Sequence, residues 1–116
     1  MKYIAVIGSG YWGKNLVRNF FELGVLKTIC DLDESKFGQF QEMYPGIETT
    51  TSFNTVLDDE DIKGVVISTP ALLHYDMAKK VLNSGKDVFV EKPLALDLEE
   101  SRELIEIAEK TERIIM

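Results

Sequence analysis

The stretch Tyr3-Ile4-Ala5-Val6-Ile7-Gly8-Ser9-Gly10-Tyr11-Trp12-Gly13 decides how this 116-residue chain is read. Its first five residues are apolar and partly β-branched, which suits a strand buried on both faces. The next six form a complete G-x-G-x-x-G at the point where a strand pattern gives way to a helical one. Gly8 allows the tight turn, Gly10 has no Cβ to obstruct a phosphate, and Gly13 lets the helix pack closely on the strand. The free N–H groups of that helix's first turn then meet phosphate oxygens at the positive end of the helix dipole. In this setting the motif points to a bound dinucleotide; a glycine-rich turn without a ligand is the alternative. Tyr11 and Trp12 either cover the pyrophosphate or pack at the helix start.

Working outward, the chain alternates short apolar runs with helical stretches, the signature of βαβ units. The first helix carries Leu16, Val17, Phe20 and Leu23 on its apolar stripe and ends at Gly24. Leu26 to Cys30 is a second strand, followed by a helix from Glu34 to Met43 that Tyr44-Pro45-Gly46 stops. Glu48 to Thr51 is a short polar strand suited to a sheet edge. Ser52 caps a small helix through Leu57, and Asp58-Asp59-Glu60-Asp61 reads as a solvated acidic loop. Gly64 to Ser68 is the strongest central strand. A helix from Leu72 to Leu82, with Met77, Ala78, Val81 and Leu82 inward, leads to a strand over Asp87 to Val90. Asp97 and Glu100 open a last helix that packs Leu98, Leu104, Ile105 and Ala108, and Arg113 to Met116 begins a sixth strand. Right-handed crossovers then give an α/β fold of the Rossmann type, a doubly wound parallel six-stranded sheet in the order 3-2-1-4-5-6 within one domain, 1–116.

Composition narrows the function. The chain is 45% hydrophobic and 28% charged, an ordinary globular balance, and its net charge of -7 repels a polyanion, which argues against nucleic acid. No apolar run approaches the roughly 20 residues of a membrane span and no signal peptide is evident, so a cytoplasmic location is expected. The single cysteine, Cys30, reads as core, and no cluster suggests a metal.

Asp31 ends the second strand eighteen residues past Gly13, near the spacing of about 20 expected of an acid that binds the adenosine ribose. A carboxylate there accepts from ribose hydroxyls and repels a 2′-phosphate, which favours NAD over NADP. Asp31 could instead only begin a turn, and Asp33 could be the ribose partner or a helix cap. Lys36, the next basic residue, falls in the predicted helix and offers no obvious phosphate partner. The loops after the fourth and fifth strands, Ser68-Thr69-Pro70-Ala71-Leu72-Leu73-His74 and Glu91-Lys92-Pro93, reach the same sheet edge as the glycine motif, where open parallel sheets bind ligands. Lys92, partly desolvated at a strand end, could give or take a proton at a substrate oxygen during hydride transfer, with Glu91 steadying its charge. Without context, E-K-P would be a surface turn. His74, the only histidine, fits a cap, a solvent-facing position or a ligand contact equally.

Taken together, these residues resemble the amino-terminal domain of the Gfo/Idh/MocA oxidoreductases over essentially the whole chain. The G-x-G-Y-W-G start, Asp31, Ser68-Thr69-Pro70 with His74 four residues on, and Glu91-Lys92-Pro93-Leu94 carry the likeness. The resemblance implies that Lys92 takes part in catalysis and contacts the nicotinamide ribose. It also implies that Ser68, Thr69 and Pro70, with Leu72 and His74, lie along the cofactor. Residues 10–20 and Tyr44-Pro45-Gly46 look like the group that oxidises UDP-N-acetylglucosamine-type nucleotide sugars at the sugar 3-position. Family members continue into a second α/β domain that supplies most of the substrate pocket and the oligomer interface, and the sequence in hand ends before it. The expectation is a chain that binds a dinucleotide with little or no turnover alone. Two competitors remain: a methyltransferase, which needs neither the T-P nor the E-K-P loop, and a non-catalytic binding module, either a cofactor sensor or a stub that self-associates through a sixth-strand edge.

Overall fold

A computed structural model describes residues 2–10, 13–91 and 95–116 of the chain. Five strands, β1 (Ile4–Ile7), β2 (Leu26–Cys30), β3 (Glu48–Thr50), β4 (Gly64–Ile67) and β5 (Asp87–Val90), form one parallel sheet in the order β3-β2-β1-β4-β5. Between them run α1 (Gly13–Glu22), α2 (Phe37–Met43), α3 (Phe53–Asp58) and α4 (His74–Asn83), and α5 (Leu98–Thr111) follows β5. The expected order is present through its fifth strand. The sixth is reduced to a single parallel bridge, Val88 to Ile115, supported by bonds of Met116 with Val88 and Val90 at 3.0 and 2.9 Å.

The strand sequences explain the layering. Ala5 and Ile7 of β1 and Val65 and Ile67 of β4 face Val56, Ala78, Val81, Leu82, Leu104 and Ala108, so α3, α4 and α5 cover one side. Val6, Ile29 and Val66 face Val17 and Phe40, so α1 and α2 cover the other. All four residues of β4 are buried, as a central strand flanked on both faces requires. β3 pairs only with β2, and its polar Glu48-Thr49-Thr50 is tolerated because it is an edge. Each fully buried Val, Leu or Ile contributes roughly 1.5–3 kcal/mol, and the inward faces supply most of the stability.

Several local expectations need correction. Leu23, at 71% exposed, lies beyond the end of α1 and off its stripe, while Leu16 and Phe20 pack beside Val17. Leu98 and Ile105 of α5 are exposed; Leu104 and Ala108, one turn apart, are buried with Ile107 partly so. The second and fourth helices each begin with a 3₁₀ turn, Glu34–Lys36 and Ala71–Leu73, before the α-helix proper. Ser52 and Asp97 cap α3 and α5 as expected, accepting from Thr55 N and Glu100 N.

The acidic run 58–61 is not simply solvated. Asp59 pairs with Lys27, which also meets Glu48 at 3.1 Å, and the hydrogen bond from Lys27 holds the Asp59 carboxyl below its usual range. Lys86, only 4% exposed, donates to the carbonyls of Asp59 and Ile62 at 2.7 and 2.8 Å. Burial pushes its ammonium pKa down. With Lys63 Nζ donating to Glu60 O at 2.8 Å, three lysines hold the loop at the amino-terminal edge of the sheet.

Candidate functional site

At the opposite edge, beyond the carboxyl ends of β1, β2 and β4, lies a cleft of about 510 Å³. The chain order explains why it opens there: β1 is flanked by β2 on one side and β4 on the other, so the loops leaving them diverge to opposite faces. Gly8 turns the chain out of β1 with φ +87°, a conformation side chains disfavour, and its N–H donates to Cys30 O at 2.8 Å. A Cβ on Gly13 would stand 2.3 Å from Gly8 O and 2.6 Å from Ser68 Oγ. Gly13 is therefore glycine because α1 begins against the turn itself. Among the described residues, nothing lies within 4 Å of where a Cβ on Gly10 would stand.

Side chains fix this loop from both flanks. Ser68 Oγ donates to Gly8 O at 2.6 Å, tying the end of β4 to the turn. On the other flank Asp31 Oδ2 accepts from Ser9 N at 2.9 Å and from Ser9 Oγ, and Oδ1 accepts from Asp33 N at 2.9 Å. Burial pushes the Asp31 carboxyl up. The bonds from Ser9 and Asp33, with Lys36 nearby, outweigh that effect and hold it below its ordinary range, so it is an anion at neutral pH. Asp33 accepts from Ser35 N as the cap of the 3₁₀ turn. Lys36 returns to within 3.8 Å of Asp31 Oδ2, nearer than its place in a predicted helix suggested. It also borders a groove on the far side of the glycine loop, whose charged lining residues are Lys14, Arg18 and Lys36. A local positive field thus sits beside the loop of a chain whose net charge is -7.

Of the residues singled out from sequence, Gly8, Gly10, Asp31, Ser68, Thr69, Pro70, His74 and Glu91 line the cleft, and Gly13 supports it from below. Leu72 does not: it is 77% exposed, and Ala71 and Leu73 border the cleft because the 3₁₀ turn rotates Leu72 outward. His74 is buried, not solvent-facing, with Nε2 at 2.7 Å from Thr69 O. Tyr11, Trp12, Lys92 and Pro93 lie outside the described residues. Sequence reasoning missed Ser9, Leu32, Thr51, Phe53 and Met77, which complete the walls. Thr51 and Phe53 could have been found, since they follow the third strand at the same sheet edge. Among the described residues no group of acidic, histidine or cysteine side chains could hold a metal, and no helix is long and apolar enough to cross a membrane.

The glycine turn at Gly8, the cleft beside it and the pre-set Asp31 carboxylate together fit a dinucleotide. The family model described as an oxidoreductase family with an NAD-binding Rossmann fold matches residues 2–116. A glycosyl hydrolase family 109 protein of Shewanella pealeana is 38% identical over 97% of the chain, which spans 27% of that protein. An oxidoreductase from Bacillus cereus superposes with TM-score 0.88 at 30% identity, covering 100% of the chain and 34% of its own. GenD2 of gentamicin A biosynthesis, solved in complex with NAD, gives 0.86 at 28% identity, covering 99% of the chain and 34% of its own. The chain therefore spans only about a quarter to a third of the proteins it matches.

Proposed function

Since the chain belongs to the Gfo/Idh/MocA oxidoreductase family by its NAD-binding Rossmann domain, we propose that it holds the cofactor for hydride transfer between a sugar hydroxyl and a nicotinamide, with NAD preferred to NADP. The Asp31 carboxylate carries this reading. It is ionised, fixed by Ser9 and Asp33, and set at the cleft beside the glycine turn, where it can accept from ribose hydroxyls and oppose a 2′-phosphate. The bound nicotinamide would supply the hydride acceptor or donor. The chain's own residues do the rest: N–H groups at the start of α1 face the pyrophosphate, the 68–73 loop forms a wall, and Lys92 moves the hydroxyl proton.

The preference is tested by Asp31→Ala. NAD affinity should fall about tenfold, the effect of losing one charge-assisted hydrogen bond, and the gap to NADP should narrow. An unchanged ratio would sink Asp31 as the discriminator and leave Lys36, 3.8 Å away, free to meet a phosphate.

A nucleotide sugar of the UDP-N-acetylglucosamine type is the substrate we favour for the whole protein, with a further α/β domain supplying most of its pocket. The chain alone then binds cofactor with little turnover. Nucleotide-sugar oxidation by the purified 116-residue chain, followed as NADH absorbance, would refute that part. A relative named as a glycosyl hydrolase favours a second reading, in which the sugar is a glycoside and cleavage leaves the cofactor unchanged overall. Free sugar released without net NADH would select it.

A further inference from the structure

His74 is 1% exposed and begins α4, directly after the 3₁₀ turn that leaves the cleft wall. A buried ring survives in a fold when its polar atoms are paired, and Nε2 lies 2.7 Å from the carbonyl oxygen of Thr69. A carbonyl can only accept, so Nε2 carries a proton in this contact. One helical turn further along the same face of α4, Met77 Sδ accepts from the Thr69 hydroxyl at 3.4 Å. Thr69 is thus held twice from α4, at its carbonyl and at its side chain.

What Thr69 touches gives this pinning a function. Its Cγ2 stands 3.1 Å from the point a Cβ on Gly8 would occupy, as do the carbonyl atoms of Ser68. The clearance beside the glycine turn is therefore set by where Thr69 sits, and Thr69 sits where His74 and Met77 hold it. We propose that His74 is a positioning residue of the cofactor cleft: through its Nε2–H it fixes the Thr69 carbonyl, and with it the wall that flanks Gly8. This rests on the cleft being the dinucleotide site.

The test compares NAD affinity of the wild-type chain with His74→Leu and His74→Gln, alongside thermal melts. Leu fills much of the ring's volume and leaves the carbonyl unpaired, so NAD affinity should fall about tenfold. The Gln side-chain amide can donate to the same carbonyl and should restore affinity to within about threefold of wild type, a rescue that loss of packing alone does not predict. Wild-type NAD affinity in a folded His74→Leu chain overturns the inference, as does His74→Gln binding no better than His74→Leu when both melt cooperatively. Should the variants not fold, ¹⁵N spectra of the wild-type ring decide: a protonated Nε2 is expected, and a bare Nε2 overturns the proposal. A wild-type chain that binds no dinucleotide overturns the cofactor reading and this inference with it, whereas NAD binding indifferent to His74 overturns this inference alone.

Discussion

The two edges of the sheet both use bonds from side chains to main-chain groups, joined at the amino-terminal edge by one ion pair, to opposite ends. At the amino-terminal edge Lys86 and Lys27 reach the 59–62 segment and draw it down, the first through two carbonyls and the second through Asp59. At the carboxyl-terminal edge Asp31, Ser68 and His74 also bond to main-chain groups, those of Ser9, Gly8 and Thr69, yet a cleft of about 510 Å³ remains between them. The difference lies in what the bonded backbone borders. Where it borders sheet and helix, side chain to backbone bonds close the structure; where it borders glycines, they hold a concavity open and rigid before any ligand arrives.

That contrast can be broken most severely at Gly13. An added methyl would fall 2.3 Å from Gly8 O, so Gly13→Ala should cost about 3 kcal/mol or more of stability, read by denaturant unfolding. Gly10→Ala should behave differently although it belongs to the same motif. Its Cβ meets none of the described residues within 4 Å, so the melt should match wild type while NAD affinity drops on the order of a hundredfold from crowding of the phosphates. At the other edge, Lys86→Met should lose about 2 kcal/mol, since the Ile62 carbonyl loses its donor and the Asp59 carbonyl keeps only Ile62 N, with NAD affinity unchanged within about twofold. A Lys86→Met chain that bound NAD tenfold more weakly would show that the edges are coupled.

Acidification sharpens the comparison more gently. The Asp31 carboxyl sits below its ordinary value of 3.8, so what it contributes is fully present above that value and lost as pH falls through its lower folded value. NAD affinity should accordingly stay flat from about pH 7 to about pH 5. A loss of affinity centred near neutrality would show that another group controls the site. The smallest effect belongs to Cys30, whose thiol burial pushes up to about 11. It should resist alkylation at about pH 8 in the native chain and react once the chain unfolds.

Much of this arrangement is legible in the sequence because period and punctuation carry it. The boundaries of β2 and β5, the caps at Ser52 and Asp97 and the edge position of Glu48-Thr49-Thr50 follow from local residue chemistry alone. What is not legible depends on rotation and reach. Leu72 and Leu73 are chemically alike, and only the 3₁₀ turn decides that Leu73 borders the cleft. Nothing in the sequence around Lys86 marks it as buried, since its burial depends on carbonyls 24 and 27 residues away. The Asp31 spacing was visible, but not its grip on Ser9, since a hydrogen bond across 22 residues leaves no periodic trace.

The crowding at Gly13 also bears on the paths this sequence can take in evolution. The atom nearest to a side chain there is a main-chain oxygen, which no substitution elsewhere can trim. Trading Ser68 for a smaller residue would remove the contact at 2.6 Å and leave the one at 2.3 Å in place. Position 13 therefore has no second-site suppressor that keeps the turn where it is. Any lineage that loses this glycine must rebuild the loop, and a library selected for dinucleotide binding should hold Gly13 fixed while its neighbours drift.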